Sequence, residues 1–254
     1  MAAHIKPLIL HAHATGPNPI KIAIALEALN IPFTVKNWDF GDDPQKGVKG
    51  ETFLKINENG RVPALEDPNT GVVSWESGAC MNYVRRVYDN GNKIGPSGPS
   101  AQDLVDFEKW EYFLLTTLGP MMGQVNWFRW VLSCIWRQGY GSGMKENCSE
   151  IADFKHISRH YHHQENKDAL ERYVAQAYRC YDVLEKQLQK SEGMSILPGR
   201  ITAVDYHYEP WVRQHEFAGL SLEKYPMIHK WLTLMHTREE VQEAYIKIRN
   251  ASKG

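Results

Sequence analysis

The sequence predicts an α/β N-terminal half followed by an all-α C-terminal half. Three observations predict it. Short apolar runs alternate with helical spacing and end in a hairpin before residue 90; residues 91–100 gather glycine, proline and serine around the single apolar Ile94; beyond them no strand alternation returns. A chain of 254 residues can build two modest cores, and its 43% hydrophobic and 23% charged residues are ordinary globular values. The expected division is 1–90, a linker at 91–100, and 101–254.

Leu8-Ile9-Leu10-His11 has the apolar run of a buried strand. His13 to Pro17 reads as a loop, and Asn18-Pro19 opens a helix with Asn18 as N-cap and Pro19 at the first helical position, where a missing N–H costs nothing. Ile20, Ala23, Ile24 and Ala28 recur on one face of that helix. Asn30-Ile31-Pro32 stops it, and Phe33-Thr34-Val35 with Trp38 alternates as a second strand, so a parallel pair with a helical crossover is expected. Residues 41–50 are polar and Gly-rich, the composition of a mobile loop. A short helix over 51–55 follows.

Asn57-Glu58-Asn59-Gly60 is a turn signal, because Asn and Gly tolerate positive φ. Val62-Pro63-Ala64-Leu65 then reads as a strand that starts at a proline, which cannot donate to a ladder and belongs at a strand start or an edge. The residue before it is held extended. An extended Val62 at an edge offers its N–H and C=O to a peptide-like ligand. Asp67-Pro68-Asn69-Thr70-Gly71 makes a hairpin loop, Val72-Val73-Ser74 returns antiparallel, and a helix runs from Ser77 to about Tyr88. Ser77 fits an N-cap whose helix amides would attract a carboxylate. Glu76 could pair with an ammonium. Together these groups describe a site for a small zwitterionic peptide.

The C-terminal half is helical throughout. One helix is expected over 102–118, ended by Gly119-Pro120, and another from about Met121 through Trp127, Phe128, Trp130 and Trp136 to the glycines at 139–143. A long helix is expected over 166–189, with Leu170, Tyr173, Ala177, Tyr181 and Leu184 on its apolar face, and a final one over 226–248. Thr202-Ala203-Val204-Asp205 spells a capping box with Asp205 in the usual Glu position, and Ile201 and Tyr206 fit a hydrophobic staple.

The run from Asn57 to Asp67, with Trp75-Glu76-Ser77-Gly78-Ala79 after it, resembles the glutathione site of the cytosolic glutathione transferases. The likeness is closest to the fungal branch that includes the yeast nitrogen-regulation prion protein and the gliotoxin-pathway transferases. It implies a thioredoxin-like first half, with Val62-Pro63 as a cis-proline turn and Arg61 flanking the peptide. Gly16-Pro17-Asn18 aligns with the Thr-Pro-Asn of that branch. Gly16 departs from its threonine, and Thr15 lies one residue earlier, from where it could reach back to assist. In this alignment Asn18 would donate an amide N–H to the glutathione thiolate, which the positive end of the helix also favours. An ordinary N-cap is the plainer alternative.

The resemblance further implies a second substrate, a small apolar electrophile, bordered by Tyr112, Thr116 and Trp127. The aromatic and Met cluster around Met121, Met122 and Trp127 could equally be plain helical core. Lys49 or Lys46 could meet the glycyl carboxylate of glutathione, the alternative being a solvated surface charge. Conjugation is the expected activity, as a homodimer. A glutathione-recycling isomerase, eliminase or disulfide or peroxide reductase stays open, as does a glutathione-binding regulator.

Net charge is −1 from 29 basic and 30 acidic residues, so nothing favours nucleic acid or a membrane surface as partner. Cys80, Cys134, Cys148 and Cys180 lack CxxC spacing and read as free thiols of a cytoplasmic protein without a signal peptide. His156 and His160 stand one helical turn apart, with His162 and His163 beside them, but no carboxylate or Cys completes a ligand set, and no metal is expected. Residues 133–164 read as an insertion beyond the minimal pattern, at the mouth of the pocket.

Overall fold

The computed structural model describes residues 5–139 and 167–252, and side chains outside 130–139. A four-stranded sheet has the order β2-β1-β3-β4, with β1 Leu8–Ala12, β2 Phe33–Asn37, β3 Ala64–Asp67 and β4 Val72–Trp75. β1 and β2 are parallel, joined by helix α1 (Pro17–Ala28), while β3 and β4 run antiparallel. Helix α2 (Glu51–Leu54) precedes β3, and α3 (Ser77–Tyr88) follows β4. This is the thioredoxin-like order.

The C-terminal half consists of α4 (Ala101–Phe113), a π-helical segment (Leu114–Leu118), α5 (Gly119–Gly139), α6 (Lys167–Gln189), α7 (Ala203–Val212), α8 (Pro226–Thr237) and α9 (Glu239–Ala251). One core cluster runs from Leu8 in β1 to Ile248 in α9, so both halves share it. Helix α1 packs against β1 of the sheet and against α3, α7 and α9, which is why it is buried on nearly every side rather than on one face.

The boundaries shift where tertiary contacts override local signals. Helix α1 starts at Pro17, with Gly16 at the N-cap position, so Asn18 is the second helical residue and not the cap. Likewise α3 starts at Ser77 with Glu76 in the cap position, so Ser77 does not cap it. Gly119-Pro120 does not end a helix. The wider π turn before it absorbs the proline's missing N–H, and the chain continues into α5. The last predicted helix is two, parted by extended Arg238 (ψ 134°).

Loop 41–50 carries hydrogen bonds of its own: Asp43 Oδ1 accepts from the backbone of Gln45 and Lys46, and Asp39 bridges to Gly47. The capping box holds as read. Thr202 Oγ1 accepts from Val204, and Asp205 Oδ2 accepts from the Thr202 amide at 2.8 Å. Ser100 and Asp103 form a second box at α4. Buried Cys80 and Cys180 are free thiols, Cys80 pushed up to about 11 by burial. His156, His160, His162, His163, Cys148 and the Cys134, Trp130 and Trp136 side chains lie outside the described residues, as does most of the segment 133–164.

Candidate functional site

Strand register alone gathers the site. His11 of β1 faces Ala64 of β3, and Ala64 faces Trp75 of β4. The strands are antiparallel across both pairs, so the residues after Ala12, before Ala64 and after Trp75 all leave the sheet at one end. Those residues are the loop into Asn18, the Val62-Pro63 pair and Glu76-Ser77. Parallel β2 brings loop 39–50 to the same end.

Val62-Pro63 is a cis peptide bond. The strand proper begins at Ala64, and β3 is an inner strand, not a sheet edge. Both registers stop at Ala64, so Val62 lies past the ladder at its open end. Gly60 turns the chain toward it with φ 62°, and a Cβ there would come within 2.8 Å of Val48 O, so the turn needs glycine. Asn57 supports the turn by donating from Nδ2 to Arg61 O. The Arg61 side chain is exposed. Lys49 Nζ donates to Asn59 O at 2.7 Å, which holds this exposed lysine over the turn; Lys46 is exposed on the loop beyond.

Glu76 is exposed and takes φ 69° and ψ 122°, a conformation costly for any residue with a Cβ and found mostly at functional positions. Ser77 is 4% exposed, and its Oγ accepts from Lys21 Nζ at 3.2 Å, which ties the head of α3 to α1. Lys21 is itself 1% exposed. Burial lowers its ammonium to about 7, against the opposing pull of Glu111 and Glu76. Behind it, His207 Nε2 and Asn82 Nδ2 meet Glu111 Oε1 at 3.2 and 3.1 Å, a polar seam between the halves.

Asn18 Oδ1 accepts from Trp211 Nε1 of α7 at 3.1 Å. Its Nδ2 has no protein partner among the described residues, which leaves two donors at the positive end of α1. Thr15 is exposed, and its N–H and Oγ1 both meet His13 Nδ1, at 3.2 and 3.1 Å. The His13 ring lies against Phe40, tilted by 31° with centroids 3.8 Å apart, and burial lowers its pKa against the pull of Asp39. Beneath, His11 donates from Nε2 to Glu66 at 2.7 Å and accepts at Nδ1 from Trp38. That donor, with burial as the main cause of a lowered pKa, keeps His11 neutral.

Above this end of the sheet, Gly78 of α3 packs against the π segment, where a Cβ would meet Leu115 Cδ1 at 2.7 Å. Thr116, in that segment, is exposed and donates from Oγ1 to Tyr112 O at 2.8 Å; Tyr112 is 55% exposed and Trp127 half-buried. Among the described residues no group of three or more His, Cys, Asp or Glu could hold a metal, and no helix is long and apolar enough to cross a membrane.

A family model described as "Glutathione S-transferase, N-terminal domain" matches residues 6–86, the stretch that holds every N-terminal group above. The "Glutathione S-transferase-like protein tpcF" of Aspergillus fumigatus is 30% identical over 257 residues, covering 96% of this chain and 97% of that protein. The chain belongs to the glutathione S-transferase family. Among solved structures, the glutathione transferase URE2P8 from Phanerochaete chrysosporium, crystallised with oxidized glutathione, is 27% identical with a TM-score of 0.76 and full coverage of both chains. Yeast Ure2p in complex with glutathione shares the fold at 24% identity, TM-score 0.74, over 95% of this chain and 99% of that one. The transferase fold expected from the sequence is therefore the fold present.

Lys21, Trp211 and His13 escaped the sequence reading of this site. Lys21 carried a usable signal, a lone charge within Ile20-Lys21-Ile22-Ala23-Ile24 on a helix without a polar face. Trp211 carried none, since it lies 193 residues from Asn18.

Proposed function

We propose that this transferase joins the thiol of glutathione to a small apolar electrophile in the cytoplasm, working as a homodimer. One observation carries the proposal: Asn18, the cis Val62-Pro63 bond and the head of α3 share one end of the sheet. Each meets the need of one part of a tripeptide. Val62, past the ladder, pairs through its own N–H and C=O with the cysteinyl unit, and Pro63 holds it in place with Arg61 alongside. Ser77 and the first amides of α3 take the γ-glutamyl carboxylate. Glu76 takes its ammonium, which gives a purpose to that residue's costly φ. Lys49, already over the Gly60 turn, meets the glycyl carboxylate.

Asn18 donates from Nδ2 to the sulfur, and the α1 N-terminus favours the anion further. Thr15 borders the sulfur, with its hydroxyl held by His13. Residues 1–90 thus bind glutathione, 91–100 join the halves, and 101–254 carry the electrophile site edged by Tyr112, Thr116 and Trp127. The thiolate forms a new C–S bond as the leaving group departs, and the thiol proton passes to solvent. The protein contributes proximity and a lowered thiol pKa, with no covalent bond of its own. Oxidized glutathione in the URE2P8 crystal supports the ligand class.

Calorimetry with glutathione and turnover of a chloronitrobenzene test this. Wild type should bind glutathione and consume one equivalent per product. Asn18→Ala should keep the fold and lose about 10- to 100-fold in kcat, the worth of one hydrogen bond to a charged group. No heat at saturating glutathione would defeat the proposal. Product formed without consumption of glutathione would reassign the chain to isomerisation.

A further inference from the structure

We propose that Trp211 is a positioning residue that decides which way the Asn18 carboxamide faces, and so turns its NH2 toward the glutathione sulfur. The inference deepens the function proposed above and rests on it. An Asn amide has an acceptor oxygen and a donor nitrogen of nearly equal size, so a half-turn exchanges them at almost no steric cost. The surroundings must choose. The indole Nε1–H is a donor only, and at 3.1 Å from Asn18 it accepts no arrangement but Oδ1 toward the ring. The reversed amide would set N–H against N–H. With the oxygen committed to Trp211, the NH2 is directed away from it, without a protein partner among the described residues.

Trp211 can impose this because it is itself held. Its ring lies against Gly119 and Gly123 of α5, where an added Cβ would stand 3.4 Å from Cε2 and 3.6 Å from Cη2. Two glycines one helical turn apart leave a slot for the indole. Lys21 Nζ sits 5.8 Å from the ring centroid. At its other end α7 is anchored by the Thr202–Asp205 box. The late helical half thereby sets the polarity of a side chain in the early α/β half, and neither half alone specifies it.

The test is the thiol pKa of bound glutathione, read from thiolate ultraviolet absorbance against pH. It is measured in wild type, Trp211→Phe, and a variant carrying benzothienylalanine at 211, whose sulfur replaces the N–H at the same ring size. Both substitutions should raise the bound thiol pKa by about one unit, about tenfold less thiolate at a pH below it, and lower kcat in step. Measured well below the bound thiol pKa, where the sulfur is protonated in every variant, the glutathione dissociation constant should stay within about twofold, since charge-assisted contacts elsewhere hold the peptide. In an Asn18→Ala background neither substitution should move the pKa further. An unmoved pKa in the benzothienylalanine variant, with wild type depressed, overturns this inference alone. So does a change that persists without Asn18. A wild-type thiol pKa no lower than that of free glutathione overturns the proposed function and this inference together.

Discussion

Replacing Lys21 with Met should make the wild-type protein's relative stability depend on pH in one direction. The ammonium is 1% exposed, and its hydrogen-bond partner is Ser77 Oγ at 3.2 Å. Burial lowers its pKa from 10.5 to about 7, although Glu111 and Glu76 favour the charge. At 1.36 kcal/mol per pH unit, that interval corresponds to about 5 kcal/mol against the charged form. The folded-state pKa lies below the unfolded one, so between about pH 7 and pH 10 the unfolded chain holds a proton that the folded chain has released. Stability therefore rises with pH across that window, and the penalty is fully present below it.

Met at this position has similar length and no titration. The unfolding free energy of wild type minus that of Lys21→Met should climb by several kcal/mol from about pH 7 to about pH 10, with a slope of at most about 1.4 kcal/mol per pH unit. Urea titrations of both proteins across that range measure it, and every other titrating group cancels in the difference. A flat difference would refute the assignment of a mostly neutral amine to the folded state above pH 7. The same variant frees the Ser77 hydroxyl to rotate, so glutathione affinity should fall about 5- to 30-fold, the equivalent of one or two kcal/mol.

Asp205→Ala strips the buried acceptor from Ile196 N at 2.8 Å, Thr202 N at 2.8 Å and Trp231 Nε1 at 2.9 Å. At about 1–3 kcal/mol for each orphaned donor, denaturant unfolding should show a loss of at least about 3 kcal/mol, and a loss below about 1 would contradict the buried network. Glu76→Gly should be at least as stable as Glu76→Ala, because release of a positive φ worth about 1–3 kcal/mol exceeds glycine's entropic cost of about 0.5–1. Calorimetry should find glutathione binding equally weakened in both, since both lose the carboxylate.

Much of the site was legible because its parts are local. The Asn57–Gly60 turn, the residue before Pro63 and the helix starting at Ser77 follow from backbone preferences that each tetrapeptide carries with it. The Thr202–Asp205 box did so too, since both its partners lie within one turn. The cap roles read for Asn18 and Ser77 failed for a related reason. Asn and Ser favour caps when exposed, but here each side chain is drawn into a distant partner, Trp211 for one and Lys21 for the other. Gly119-Pro120 read as a stop because a π turn has no signature in single residues, and Arg238 splits the last helix without a proline or glycine to announce it.

The sequence by itself determined the order of elements and the turn chemistry around Val62-Pro63, because those depend on neighbours along the chain. Only the tertiary structure decided that His11, Ala64 and Trp75 share one row, that Lys21 is buried against Ser77, and that Trp211 fixes the amide of Asn18. Such facts arise from hydrogen bonds between residues tens to nearly two hundred positions apart, and no local preference encodes a partner at that distance.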